Sequence, residues 1–183
     1  MREIKTSEIQ KELTNLTQTK TEDMIWCVYD RPIAFKSKEN DVNEAYCIQN
    51  NVTIIETGNM GGTMVANAGD IGVAIIKKEG WSVGNDALHF ICEKLKPKIP
   101  TIRTDNNDLI TGENFKMGSF ASFNVGDKVI YTIIDININP DITHIVNICS
   151  KPMNKIPKGL NDFGVTRDEV IQFLEDFGEK YGI

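Results

Sequence analysis

Asn106-Asn-Asp-Leu-Ile-Thr-Gly-Glu-Asn-Phe-Lys-Met-Gly-Ser-Phe-Ala121, followed after a polar break by Lys128-Val-Ile-Tyr-Thr-Ile-Ile-Asp-Ile-Asn-Ile138, is the stretch on which the fold turns. It reads as three strands in succession, Leu109 to Thr111, Phe115 to Phe123 and Lys128 to Ile138. In the last of them Ile130, Thr132, Ile134, Ile136 and Ile138 recur at every second residue, the period of a strand rather than of a helix. Adjacent runs of this kind form an antiparallel meander, and the turn at Thr111 to Asn114 sets Asp108 and Lys116 on neighbouring strands. An ammonium inside an apolar strand is costly without a partner, so Lys116 calls for an anionic ligand, a neighbouring carboxylate or a place at the sheet edge.

On the N-terminal side, Ser7 to Gln10 reads as a capping box for a short helix carrying Ile9, Leu13 and Leu16. Strands follow at Met24 to Tyr29 and Pro32 to Phe35, joined by the turn Asp30-Arg-Pro32. Asp41 is placed to cap a helix ending at Asn50-Asn51, and Val52 to Ile55 is the next strand. A glycine-dense turn, Gly58-Asn-Met-Gly-Gly62, precedes the strand at Val73 to Ile76, and Asn85 is placed to cap a helix closed by Pro97. Thr101 to Arg103 reads as a further short strand. After the meander, Asp141 caps a helix carrying Ile145 and Cys149, 151 to 159 is a Pro- and Lys-rich loop, and Thr166-Arg-Asp-Glu169 is a capping box for a final helix. Strands in neighbouring runs with irregular helices between them make this an α+β chain, not a strict βαβ alternation.

The 183 residues predict one domain, since a chain of this size buries enough surface to fold without crosslinks. A net charge of −6 repels phosphate backbones, so no nucleic acid is expected. No apolar run approaches the roughly 20 residues that span a bilayer, so no membrane is expected, and the first twenty residues lack the apolar centre of a secretory signal. A cytoplasmic protein is the expectation, with Cys27, Cys47, Cys92 and Cys149 reduced and mostly buried. His89 and His144 have no metal-ligand spacing around them and read as packed or surface residues.

In this order the motifs resemble the catalytic domain of the biotin and lipoate protein ligase superfamily, nearest to its lipoate or octanoate branch. The segment Asp41-Val-Asn-Glu-Ala-Tyr-Cys47 resembles the family's Glu-Val-Asn-x-Glu-Tyr-Cys helix, and Gly61-Gly-Thr-Met-Val-Ala-Asn-Ala-Gly-Asp70 its Gly-Gly-x-Val-x-x-x-x-Gly-Asn motif. Asn107-Asp108-Leu109, Lys116 to Ala121 and Tyr131 to Ile136 resemble the Asn-Asp-Leu, Lys-x-x-Gly-x-Ala and Gly-Thr-Leu-Leu elements that follow. The chain departs from the family at Glu56 to Gly62, where an Arg-Arg-x-Ser-Gly-Gly-Gly is usual, and at Val65 to Asn67, where a Tyr-His-Asp is usual. Between Lys116 and Gly118 it is one residue short, and it has no Gly-Arg-Gly-Arg of the biotin type.

The resemblance implies a single α+β domain, 1–183, of the class II synthetase-like, biotin/lipoate ligase type, with a mixed, antiparallel-rich central sheet, flanking helices and no accessory C-terminal domain. It implies ATP and Mg²⁺ as cofactors, lipoic or octanoic acid as substrate, a lipoyl-carrier protein as acceptor and a separate accessory subunit. Lys116 takes the catalytic role, holding carboxylate and α-phosphate together. Gly61, Gly62, Met64, Val65, Asn107, Asp108 and Ser119 take nucleotide and acyl-adenylate contacts, with Asp108 on the metal. Two alternatives stay open beside the ligase: a silent or repurposed binding domain, and an ATP-independent octanoyl or lipoyl transferase in which Cys149 is the nucleophile, although simple packing is the expected role of that thiol.

Overall fold

A computed structural model of the chain describes residues 1–19, 23–37, 41–57, 62–78, 82–112, 114–124 and 129–183. Alternating side chains build the strands. On Asp23–Val28 (β2), Met24 and Trp26 point to one side and Ile25 and Cys27 to the other, all buried. The same division splits Ile71–Lys78 (β6) and Val129–Ile136 (β10), so the sheet made of these strands is covered on both faces.

This sheet also takes in Arg2–Glu3 (β1), Arg103–Asp105 (β7), Asp108–Ile110 (β8) and Phe115–Asn124 (β9), in the order β1-β2-β6-β10-β9-β8-β7. Ile156–Pro157 (β11) adds to β9 in parallel, and β1 runs parallel to β2; the other pairs are antiparallel. A second sheet has Ile33–Lys36 (β3) between Thr53–Glu56 (β4), parallel, and Met64–Ala66 (β5), antiparallel. Both sheets together make the mixed, antiparallel-rich α+β architecture that the sequence implies.

The helices are Ile9–Thr19 (α1), Glu44–Gln49 (α2), Val83–Leu95 (α3), Ile142–Ile148 (α4) and Arg167–Tyr181 (α5). α3 and α5 lay Ala87, Leu88, Ile91, Leu95, Val170, Leu174 and Phe177 on one face of the large sheet. α1 covers part of the other face with Ile9 and Leu13. The small sheet packs on that same face through Ile33, Phe35 and Ile55, and α2 and α4 close its far side through Cys47, Ile145 and Ile148.

Several boundaries differ from the sequence reading. α1 runs eleven residues through Thr14, Thr17 and Thr19, because Leu13 and Ile9 anchor it where propensity alone would not. The Asn43 side chain, not that of Asp41, accepts the Tyr46 N–H at the start of α2. α3 begins at Val83, ahead of Asn85, and β7 begins at Arg103. Asp141 does cap α4, accepting from the Thr143 and His144 N–H groups, and Thr166 and Glu169 form the capping box of α5.

Candidate active site

β8 and β9 pair with a register shift: Ile110 faces Lys116 while Leu109 faces Gly118. Met117 is therefore an extra residue on β9, a bulge that turns the alternation over. Met117 and Phe120 point into the helical core, leaving Lys116 and Ser119, three residues apart, in the wall of one cavity. Gly118 sits where an added Cβ would lie 2.7 Å from the main-chain oxygen of Asp135, so this close approach of β9 to β10 admits only glycine.

The cavity has a volume of about 380 Å³ and lies between the two sheets, under the loop 151–157. Gly62, Met64, Val65, Asp108, Lys116 and Ser119 line it, and Asn107 lines an adjoining hollow of about 410 Å³ that shares Gly62, Asp108 and Lys116. Gly61, together with 58 to 60 of the glycine-dense turn, lies outside the described residues. Among the described residues, an added Cβ at Gly62 would meet only Asp41 Oδ2, at an ordinary 3.6 Å.

Lys116 Nζ is 2.9 Å from Asp108 Oδ1. This is the neighbouring carboxylate that a lysine in a strand requires. Asp108 Oδ2 accepts in turn from Lys155 Nζ at 2.8 Å, and Lys155 also donates to Asp105 Oδ2 at 2.9 Å. Lys155 reaches this position because β11 pairs with β9, setting Pro157 opposite Lys116, while the Lys158 N–H donates to the Lys116 carbonyl. Burial works to lower the Lys155 ammonium, but its bonds to Asp108 and Asp105 prevail and hold it above the usual lysine value. Magnesium is implied at Asp108, yet both oxygens of this carboxylate are met by ammonium groups. Among the described residues no group of three His, Cys, Asp or Glu side chains could hold a metal. The residues as arranged do not fit a resident Mg²⁺.

Three further cavity residues were not singled out from the sequence. Asp41 is buried and accepts the Thr63 N–H at 3.1 Å and the Thr63 hydroxyl; burial acts to raise its carboxyl, but those bonds hold it below the usual value. Lys151 lies on the loop above, and Asp135 in the wall. The available signal was the Lys-rich segment 151 to 158 in a chain of net charge −6. Cys149 was expected to be packing alone; it is half-buried at the end of α4 and lines the same cavity, fixed by a bridge to Val42. Burial and the nearby Asp41 push its thiol up to about 11, with Lys116 pulling the other way. His144 Nδ1 is 3.0 Å from the Tyr46 hydroxyl, a packing contact between α4 and α2.

No family model matches the sequence, and neither does any curated protein. Solved structures do match, over nearly the whole chain. The bipartite lipoate protein ligase of Thermoplasma acidophilum, described with its E2 lipoyl domain, superposes with a TM-score of 0.73 at 14% identity, covering 100% of this chain and 83% of that one. An ATP-bound lipoate-protein ligase A gives 0.70 at 14% identity, covering 100% and 84%. LipL1 of P. falciparum in complex with lipoate gives 0.75 at 13%, covering 99% of this chain and 61% of that one. The chain has the fold of the lipoate protein ligases. A biotin-bound biotin protein ligase of Leishmania major matches less well, with a TM-score of 0.51 at 12% identity over 94% of this chain and 69% of that one. The fold is therefore more like that of these lipoate ligases than that of the biotin ligase, and on it Lys116 and Asp108 line the cavity between the sheets.

Proposed function

We propose that the chain is a lipoate-type protein ligase, which activates an acyl acid with ATP and passes the acyl group to a lysine of a lipoyl-carrier protein. The observation that carries this reading is the pairing of Lys116 with Asp108 in the wall of a cavity that also holds Lys155 and Lys151, on a lipoate ligase fold. Three ammonium groups around one cavity, offset there by the carboxylates of Asp41 and Asp108, leave positive charge over in a chain of net charge −6 and favour an anionic occupant.

In the first step a carboxylate oxygen attacks the α-phosphorus of ATP and the bond to the bridging oxygen breaks, releasing pyrophosphate. Two anions must approach, and Lys116 is the group set to lie between them, since among the described residues its ammonium is held by the carboxylate of Asp108 alone and its main chain is fixed on both sides. In the second step the acceptor amine attacks the acyl carbonyl, losing a proton as AMP leaves. Gly62 itself presents no side chain to the cavity, and Met64 and Val65 offer apolar surface there for the adenine. The bipartite relative supports a separate accessory subunit and a lipoyl domain as partners here too. Among the described residues no helix is long and apolar enough to cross a membrane.

One observation favours a second reading, an ATP-independent acyl transferase: Cys149 shares the cavity with Lys116. A thiol pushed up to about 11 is a poor nucleophile until a cation draws it down, which places this reading second. The assay that separates them supplies octanoic or lipoic acid with ATP and measures pyrophosphate. Release dependent on the acid, lowered about 100-fold in Lys116→Ala and retained in Cys149→Ser, is expected of the ligase. Acyl transfer without ATP from an added octanoyl thioester, whose thiol leaves as the acyl group passes to Cys149, with a trapped enzyme thioester that Cys149→Ser abolishes, points to the transferase. Neither activity leaves a binding domain.

A further inference from the structure

β10 places isoleucine at 133, 134 and 136, and all three are buried; between them stands Asp135. In register it lies between Gly72 of β6 and Ser119 of β9, on the face opposite Ile134 and Ile136, and it forms part of the cavity wall. Only 2% of the residue is exposed, and its Oδ1 has no hydrogen-bond partner among the described residues. A strand interior of this composition has no packing use for a carboxyl, and an apolar residue of the same size would be the stable choice.

The charges around Asp135 decide its state. Asp70, in the loop ahead of β6, lies near enough for its charge to act on Asp135, and the Asp70 oxygens are already satisfied by the N–H groups of Asn67, Ile138 and Asn139. Lys116 approaches from β9 but is paired with Asp108, and Asp41 and Cys149 line the same cavity. Burial first, and then the like charge of Asp70, raise the Asp135 carboxyl well above the usual carboxylate value; Lys116 opposes them without prevailing. A buried carboxyl with an orphaned oxygen favours its neutral, protonated form, and the structure sets that O–H in the wall of the cavity that Lys116 also lines.

We propose that Asp135 is a hydrogen-bond donor to the ligand: its carboxylic O–H meets a carboxylate or acyl oxygen of the bound acid, while Lys116 meets the same group from β9. This rests on the reading of the cavity as an acyl-acid site and adds to it a second, uncharged contact. A neutral acid donating to a carboxylate makes a charge-assisted bond without adding another cation, and the proton stays on Asp135 throughout. The same O–H serves the acyl oxygen as charge develops on it during transfer to the amine.

The test is octanoate binding to the intact protein without ATP, by calorimetry, for wild type, Asp135→Asn and Asp135→Leu. Asn keeps a donor and cannot titrate; Leu keeps the size and has no donor. Expected are wild-type-like binding by Asp135→Asn at pH 7 and a loss of roughly tenfold by Asp135→Leu, which should nonetheless melt at a higher temperature than wild type. Raising the pH should weaken binding in wild type more than in Asp135→Asn. Octanoate bound equally by wild type and Asp135→Leu, or lost equally in both variants, overturns the proposal. Octanoate binding that follows the expected order without any pyrophosphate release supports the role of Asp135 and rejects adenylation alone. A wild-type protein that binds neither octanoate nor lipoate rejects both.

Discussion

At Lys116 the carbonyl accepts two hydrogen bonds, from the Asn137 side chain at 2.9 Å and from the Lys158 N–H at 2.9 Å, so the main chain beneath the ammonium is held by β11 and by the end of β10. Its charge is balanced by Asp108, which Lys155 holds from the other side. Removing Lys116 consequently leaves Asp108 paired, and Lys116→Ala should unfold at nearly the wild-type denaturant concentration while losing activity. Lys155→Met should act differently. Asp108 then has Lys116 as its remaining ammonium partner, which draws that ammonium toward Asp108 and away from a ligand. Affinity for octanoate should fall several-fold, and stability by about 1 kcal/mol or less, as expected for a partly exposed ion pair. Calorimetry and urea unfolding check the two halves. Unchanged affinity in Lys155→Met would make that pair structural. Lys116 and Asp108 were legible in the sequence because two strand-like runs joined by a short turn bring their residues side by side. Lys155, Asp41 and Asp135 were not: the first arrives by a strand of two residues, the second resembled a helix cap, and the third sat within an alternating strand as one more position.

At the scale of the elements, periodicity carried most of the reading. The alternation of β10, the caps at Asp141 and Thr166 and the apolar stripe of α3 all follow from local rules. What local rules do not contain is which sheet a strand joins: β2 and β3 are consecutive across the turn Asp30-Arg-Pro32, yet they lie in different sheets. Nor do they contain the bulge at Met117, which depends on where β8 pairs. That bulge is followed by a close main-chain approach beside the site, at Gly118. Gly118→Ala places a methyl group 2.7 Å from the Asp135 oxygen and 3.4 Å from Ile136 Cα, and backbone cannot rotate out of the way. The cost should be about 1 to 3 kcal/mol in urea unfolding, with activity falling because β9 and β10 separate where Lys116 and Asp135 stand. A variant as stable and as active as wild type would mean that β9 adjusts freely, and that the close approach of β9 to β10 does not require glycine.

For the molecule as a whole, the two sheets are held together by apolar contact through Ile33, Phe35, Ile76 and Ile133, and the polar cavity opens beside that contact. Burying Asp70 and Asp135 between layers has a consequence for stability against pH. Both carboxyls are raised in the folded state, Asp70 by burial against the opposing pull of backbone N–H groups, Asp135 by burial and by Asp70. A raised folded value means that the native state holds a proton which the unfolded chain releases near its ordinary 3.8. Stability from this source is complete below that value and is lost as pH rises through the folded values, by at most about 1.4 kcal/mol per pH unit for each proton. Exposed, ion-paired carboxylates such as Glu169, lowered to about 2 by Lys98 and by the N–H of Thr166, act with the opposite sign and only between about 2 and 4.5. Above pH 5 the buried pair should therefore set the slope. Urea unfolding of wild type and Asp135→Asn across pH 5 to 8 isolates it: the stability of wild type relative to the variant should decline as pH rises, and the decline should stop once Asp135 is ionised in both states. A difference that stays constant over that range would mean that Asp135 is already ionised in the folded protein. It could then accept hydrogen bonds but not donate one to a bound acid.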